Sequence, residues 1–167
     1  VPATTRNWNT INTIAKVFGR GSQRRFVIAF VCFRSALGRC MEAVCNHIQE
    51  SPPDVLRVDE VPVPVPAAGQ VLVEVAATSV NLSDWESLRG SPAYARLGGL
   101  WSPARRTLGS DIAGVVDDIG DGVTRFRPGD EVYGDNLMLK GGFAEYALAP
   151  ESVLAKKPAE LSFAQAS

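Results

Sequence analysis

No stretch of this sequence stays apolar for the roughly 18 residues that a membrane-spanning helix needs. The longest candidate, FVIAFVCF at 26–33, is bracketed by Arg25 and Arg34. Histidine is almost absent, His47 being the single one, so a centre built on several imidazoles is excluded. Cysteine is scarce: Cys32, Cys40 and Cys45 are an odd number gathered near one end, which excludes a disulfide framework. Their spacing fits no zinc motif, and free thiols in a reducing compartment are the expected state. A complete G-x-G-x-x-G is missing as well. Gly19-Arg20-Gly21 and Gly120-Asp121-Gly122 each begin one, then meet Arg24 and Arg125 where the third glycine belongs. Neither follows the strand–turn–helix order that a dinucleotide loop requires. The net charge of −1 gives no electrostatic footprint for nucleic acid.

One further absence divides the chain. Residues 1–40 contain no Asp or Glu but seven basic residues: Arg6, Lys16, Arg20, Arg24, Arg25, Arg34 and Arg39. From totals of 17 basic and 18 acidic residues, the remainder holds ten basic and 18 acidic, a net of −8. Such a step marks segments of different role. The first 40 residues read as a mitochondrial-type presequence, a secretory leader or an upstream extension; our reading is an extension outside the fold, with Met41 opening the first strand of the domain.

From Met41 onward the sequence is written as strands. DVLRVDEVPVP (54–64) alternates and then stops in Pro62, Pro64 and Pro66. GQVLVEVAATSV (69–80) sets Val71, Val73 and Val75 on one face against Leu72, Glu74 and Ala76 on the other. DIAGVVDDIG (111–120) is a strand in which Gly114 marks a bulge or a close backbone approach. RPGDEVYG (127–134) turns into a short strand, and GGFAEYALAP (141–150) supplies another. Short strands with Gly/Pro turns between them favour a barrel or sandwich over a βαβ sheet. ELSFAQAS (160–167) carries Ser162 and Gln165 in capping-box spacing, so a helix begins there, and a helix that short does not stand alone. The C-terminus is therefore expected to be a cut.

The segments PDVLRVDEVPVP, GQVLVEVAATSVNLSDW, LGSDIAGVVDDIGDGVTRFRPGDEVYG and GGFAEYALAP followed by KPAELSFAQAS resemble the GroES-like catalytic domain of the medium-chain dehydrogenase/reductase superfamily. The third is the most specific, through Gly109, Asp111, Gly114, Gly120, Val123, Phe126, Gly129, Asp130 and Val132. The resemblance implies a mainly β fold, a GroES-like barrel with short helices, cut before an α/β Rossmann domain. It divides the chain into an extension (1–40), a GroES-like domain (41–161) and the start of a helix leading onward (162–167).

The zinc enzymes of the superfamily carry ligands in patterns like C-x-[ST]-D-x-H and G-H-E. Here the first reads Asn81-Leu82-Ser83-Asp84-Trp85-Glu86 and the second Gly109-Ser110-Asp111. Asn81 stands for the cysteine and Ser110 for the histidine, and neither an amide nor a hydroxyl is a good zinc ligand. The four-cysteine structural lobe is missing too, since DNLMLK leads directly from GDEVYG to GGFAEY. The resemblance thus implies the zinc-independent, quinone-oxidoreductase-like branch: no metal, NADP or NAD held mostly by a further domain, and hydride transfer to a quinone, enone or other carbonyl. It places Asn81 near the nicotinamide ribose, where the plain alternative is a helix cap. It makes Trp85 and Tyr133 candidates for the substrate pocket, against plain roles as a core aromatic and a barrel-edge residue. Ser83 and Asp84 read as turn and structural groups. The stretch around Arg89, Arg96, Arg105 and Arg106 is a solvated face or a loop over the cleft. No catalytic residue follows. The implied partner is a small-molecule substrate, not nucleic acid or membrane, with a homodimer at full length and a cytoplasmic location, or a mitochondrial one if residues 1–40 are a presequence. A non-catalytic GroES-like assembly module and an inactive fragment are the competing readings.

Overall fold

The computed structural model describes residues 26–29, 40–46, 56–89 and 107–167. Their strands are β1 (Phe26–Ala29), β2 (Cys40–Asn46), β3 (Leu56–Pro62), β4 (Gln70–Val80), β5 (Asp111–Ile119), β6 (Glu131–Asp135), β7 (Tyr146–Pro150) and β8 (Leu154–Lys156). Two α-helices accompany them, α1 (Leu82–Arg89) after β4 and α2 (Phe163–Ala166) at the end.

All pairings are antiparallel. The main sheet runs β1-β4-β5-β6-β8, and β7 lies along β4 as well. β5 takes one edge of β4; the other is shared by β7, opposite Gln70–Glu74, and by β1, opposite Ala77–Val80. Four residues of the basic 1–40 segment therefore extend the sheet. β2 and β3 form a separate hairpin, tied to the rest by bridges from Ala43 to Ala144 and from Cys45 to Thr107.

The interior follows from β-branched residues at every second position. Val71, Val73, Val75, Ile112, Val116, Phe126, Val132, Ala147, Ala149 and Leu154 form one buried cluster drawn from β4 to β8. Each buried valine contributes roughly 1.5–3 kcal/mol. A second cluster, Val44, Leu56, Val80, Leu88, Leu108 and Phe143, seats α1 through Leu88. The alternation expected for β4 puts Val71, Val73 and Val75 in one cluster without Leu72, and Leu72 on the other face is as completely buried as Val71 and Val73. α2 lies against β4 and β5.

Gly114 has both properties expected of it. It sits beside a register shift between Val75 and Ala77, and a Cβ there would lie 2.0 Å from the Glu74 carbonyl oxygen. The C-terminal cap is present too, with Gln165 Oε1 accepting from the Ser162 N–H (2.9 Å) and hydroxyl (3.1 Å).

Candidate functional site

The site begins with the bulge in β4. Val75 pairs with Gly114 and Ala77 with Ala113, leaving Ala76 as an extra residue. Because side chains alternate with period 2, one extra residue exchanges the faces of everything after it. Val71, Val73 and Val75 point into the barrel core. Beyond Ala76, Ala77 and Ser79 come onto the face that carries Ala113 and Asp111. The Ser79 hydroxyl then donates to Asp111 Oδ2 (2.6 Å), and Thr78 donates to the Asp111 carbonyl (2.5 Å).

Asn81 follows at the mouth of this arrangement. Its Nδ2 donates to Ser110 Oγ (2.8 Å) and Asp111 Oδ2 (3.1 Å). Its Oδ1 accepts from the Ser83 N–H (2.9 Å) and hydroxyl (2.6 Å). An amide has two donor and two acceptor positions, so all four are engaged, and the bond from Ser83 N–H caps α1. Ser83 Oγ also lies 3.2 Å from Ser110 Oγ. The structure thus brings together Asn81, Ser83, Ser110 and Asp111 from two segments separated by almost thirty residues.

Asp84 is fully buried. It accepts the Asn81 N–H (3.1 Å) and the Gly109 N–H (3.0 Å). Lys140 Nζ stands 3.5 Å from its Oδ1. Burial pushes the carboxyl above the ordinary carboxylate range, while Lys140 and the two N–H groups pull the other way. Gly109 permits this approach: its φ is +89°, and a Cβ would sit 2.6 Å from Phe143.

Lys140 gave no signal in the sequence. It is brought here by Asn136, whose N–H donates to the Ser110 carbonyl (2.7 Å) and whose Nδ2 donates to the carbonyls of Lys140 (2.8 Å) and Leu148 (2.6 Å). The Lys140 N–H closes the turn onto the Asn136 carbonyl (2.6 Å). Among the described residues Lys140 is the one non-glycine with positive φ, 55°, a conformation that costs roughly 1–2 kcal/mol.

The other expected site residues lie around this cluster. Trp85 is half-buried on α1 and packs against the Leu88 cluster. Tyr133, half-buried on β6, pairs with Ala113, two register positions from the Asp111–Asp135 pair. The ladder therefore puts it on the same face as Asp111, as a diagonal neighbour. His47 and the stretch 90–106, with Arg96, Arg105 and Arg106, lie outside the described residues.

The donors do not suit zinc. At the two expected ligand positions stand an amide with every hydrogen-bonding position occupied and a hydroxyl bonded to it. Among the described residues no group of three or more His, Cys, Asp or Glu side chains could hold a metal, and no helix is long and apolar enough to cross a membrane.

Residues 67–159 match the alcohol dehydrogenase GroES-like domain. A quinone oxidoreductase of Mus musculus is 40% identical over 115 residues, covering 68% of this chain and 32% of that protein. A trans-enoyl reductase of Penicillium sp is 40% identical over 114 residues, covering 65% and 30%. The solved quinone oxidoreductase from Coxiella burnetii superposes with a TM-score of 0.67 at 32% identity, covering 76% of this chain and 40% of that one. The chain thus spans about a third of the length of the curated relatives it matches.

Proposed function

The chain belongs to the alcohol dehydrogenase GroES-like domain family, within the medium-chain dehydrogenase/reductase superfamily, and we propose that it forms the substrate-binding part of a zinc-independent NAD(P)H-dependent oxidoreductase. Its substrate class is a quinone, an enone or a related activated carbonyl, which the names of the quinone oxidoreductase and trans-enoyl reductase relatives support. The observation that carries the zinc-independent part is the 2.8 Å bond between Asn81 and Ser110. Two positions that in zinc relatives converge on a metal converge here on each other.

When bound, a reduced nicotinamide supplies a hydride, and the protein supplies position and polarisation. Asn81 is the residue proposed to meet the nicotinamide ribose. Its Oδ1 is shared by two donors of Ser83, and the Ser83 hydroxyl can turn to Ser110 Oγ at 3.2 Å. That rotation frees an acceptor position for a ribose hydroxyl without uncapping α1. Trp85 and Tyr133 are proposed to flank the substrate. The same reading carries a cytoplasmic location and, at full length, a homodimer.

The chain has no Gly-rich phosphate loop. One ribose hydrogen bond contributes about 1 kcal/mol, against the roughly 8 kcal/mol of micromolar binding. Titrated by fluorescence, NADPH should therefore bind this chain more weakly than micromolar. A full-length protein carrying it should oxidise NADPH with a quinone or enone, and a chelator should leave that rate unchanged. Loss of activity on chelation, restored by zinc, would overturn the zinc-independent reading.

A further inference from the structure

Lys140 is out of place for a lysine. Lysines normally reach solvent, yet this side chain is only 11% exposed. Its backbone holds a left-handed φ, next to Gly141, which holds one too. A conformation of this kind persists only where the surroundings impose it, and here the buried Asn136 imposes it through the bonds at both ends of the turn. The turn therefore delivers an ammonium to a chosen place.

That place is the cluster that stands at the zinc-ligand positions. Lys140 Nζ approaches the Ser83 carbonyl (3.4 Å), Ser83 Oγ (3.5 Å) and Asp84 Oδ1 (3.5 Å). All three contacts are at the outer limit of a hydrogen bond, whereas charge-assisted bonds close to about 2.7–2.9 Å. Asp84 does not depend on Lys140 for a partner, because two backbone N–H groups reach it at 3.0 and 3.1 Å. Asn81 is saturated with short bonds, whereas the three contacts of Lys140 are all long. The segments joined by the Lys140–Ser83 contact also carry the exposed apolar residues Leu82, Leu137 and Met138.

We propose that Lys140 is an oxyanion-binding residue, whose ammonium receives the negatively charged oxygen of a conjugated, otherwise apolar substrate. The assignment of that oxygen to a turnover step rests on the oxidoreductase reading. Hydride addition at the β-carbon of an enone forms one C–H bond, shifts the C=C π pair into a new double bond between the α-carbon and the carbonyl carbon, and moves the C=O π pair onto oxygen, leaving an enolate. The substrate is reduced, the nicotinamide is oxidised, and a proton from solvent then completes the product. The charge that appears on oxygen is the charge Lys140 meets, by the electrostatics through which a metal would act.

The probe is 4-nitrophenol, added to the 167-residue chain and followed by its phenolate absorbance against pH. An opposite charge at hydrogen-bond distance favours the ionised form, so the chain should bind phenolate at least about tenfold tighter than phenol. Lys140→Met should abolish that preference and Lys140→Arg should keep much of it. Lys156→Met, which removes an exposed lysine paired with Asp130, should change nothing. Should Lys140→Met fail to fold with Asp84 left charged, the double variant Asp84→Asn/Lys140→Met replaces it. An unchanged preference in either Lys140→Met background overturns the proposal, as does a wild-type chain without preference. A Lys140-dependent preference in a protein that never oxidises NADPH would leave the oxyanion site standing and remove the oxidoreductase reading.

Discussion

The two halves of β4 are continuous in sequence and differ in what they build. From Gln70 to Val75 the strand supplies valines to a dry interior, where burial of branched side chains holds β4 to β8 together. From Ala77 to Val80 its polar side chains, Thr78 and Ser79, donate to Asp111 and lead into Asn81. The boundary is Ala76, the residue without a partner. A single insertion in the ladder thus lets one strand serve as core on one side and as site scaffold on the other, with Gly114 giving the backbone room beside it.

Deleting Ala76 is the most direct way to break this contrast. Ser79 would then turn toward the valine core and Asp111 would lose one of its two side-chain donors. Unpartnered buried polar groups cost several kcal/mol between them, so urea denaturation should show a loss of about 4 kcal/mol or no folded protein. A deletion variant of wild-type stability would show that the bulge does not set the faces. Val73→Ala tests the first half alone. It should cost about 2–3 kcal/mol through lost burial and a residual cavity, with 4-nitrophenolate binding unchanged if the halves are independent. Ser79→Ala tests the second half alone, at about 1 kcal/mol, and a cost matching that of Val73→Ala would erase the distinction.

The weakest signal is a pH dependence. Burial raises the carboxyl of Asp84, so the folded chain holds that proton more tightly than the unfolded one. The stability this gives is complete below the unfolded value of about 3.9 and is lost as pH rises through the raised folded value. Asp84→Asn carries no charge at any pH. The stability of wild type minus that of the variant should therefore fall as pH climbs from about 4, then level off. A difference that grows with pH would mean that Lys140 and the backbone donors outweigh burial.

What could be read from sequence was whatever local pattern determines. The valine alternation marked β4, Gly114 announced its close approach, and Ser162 with Gln165 announced a cap. Asn81 and Ser110 were recognisable as a pair because each stands in a recognisable motif. The Ala76 bulge was not, since an alanine inside a strand looks the same whether paired or extra. The burial of Leu72 was not legible either, because the pattern groups it with Glu74 and Ala76 and says nothing of what covers that face. Lys140 was the least visible: its site contacts cross more than fifty residues, and what places it is the buried Asn136, which reads in sequence as an ordinary turn residue.

The pairing of β4 with β7 also bears on how the protein is made. Gln70 bonds opposite Pro150, so one edge of the central strand waits for a partner that lies 80 residues further along the chain. At roughly 5–20 residues per second, that partner is synthesised about 4–16 s later. Throughout that interval the nascent chain presents an unpaired, valine-rich edge of the kind that recruits foreign strands. Production in cells should therefore depend on whatever shields the strand during translation, and slower translation across 81–145 should lower the soluble yield without altering the stability of the protein that does fold.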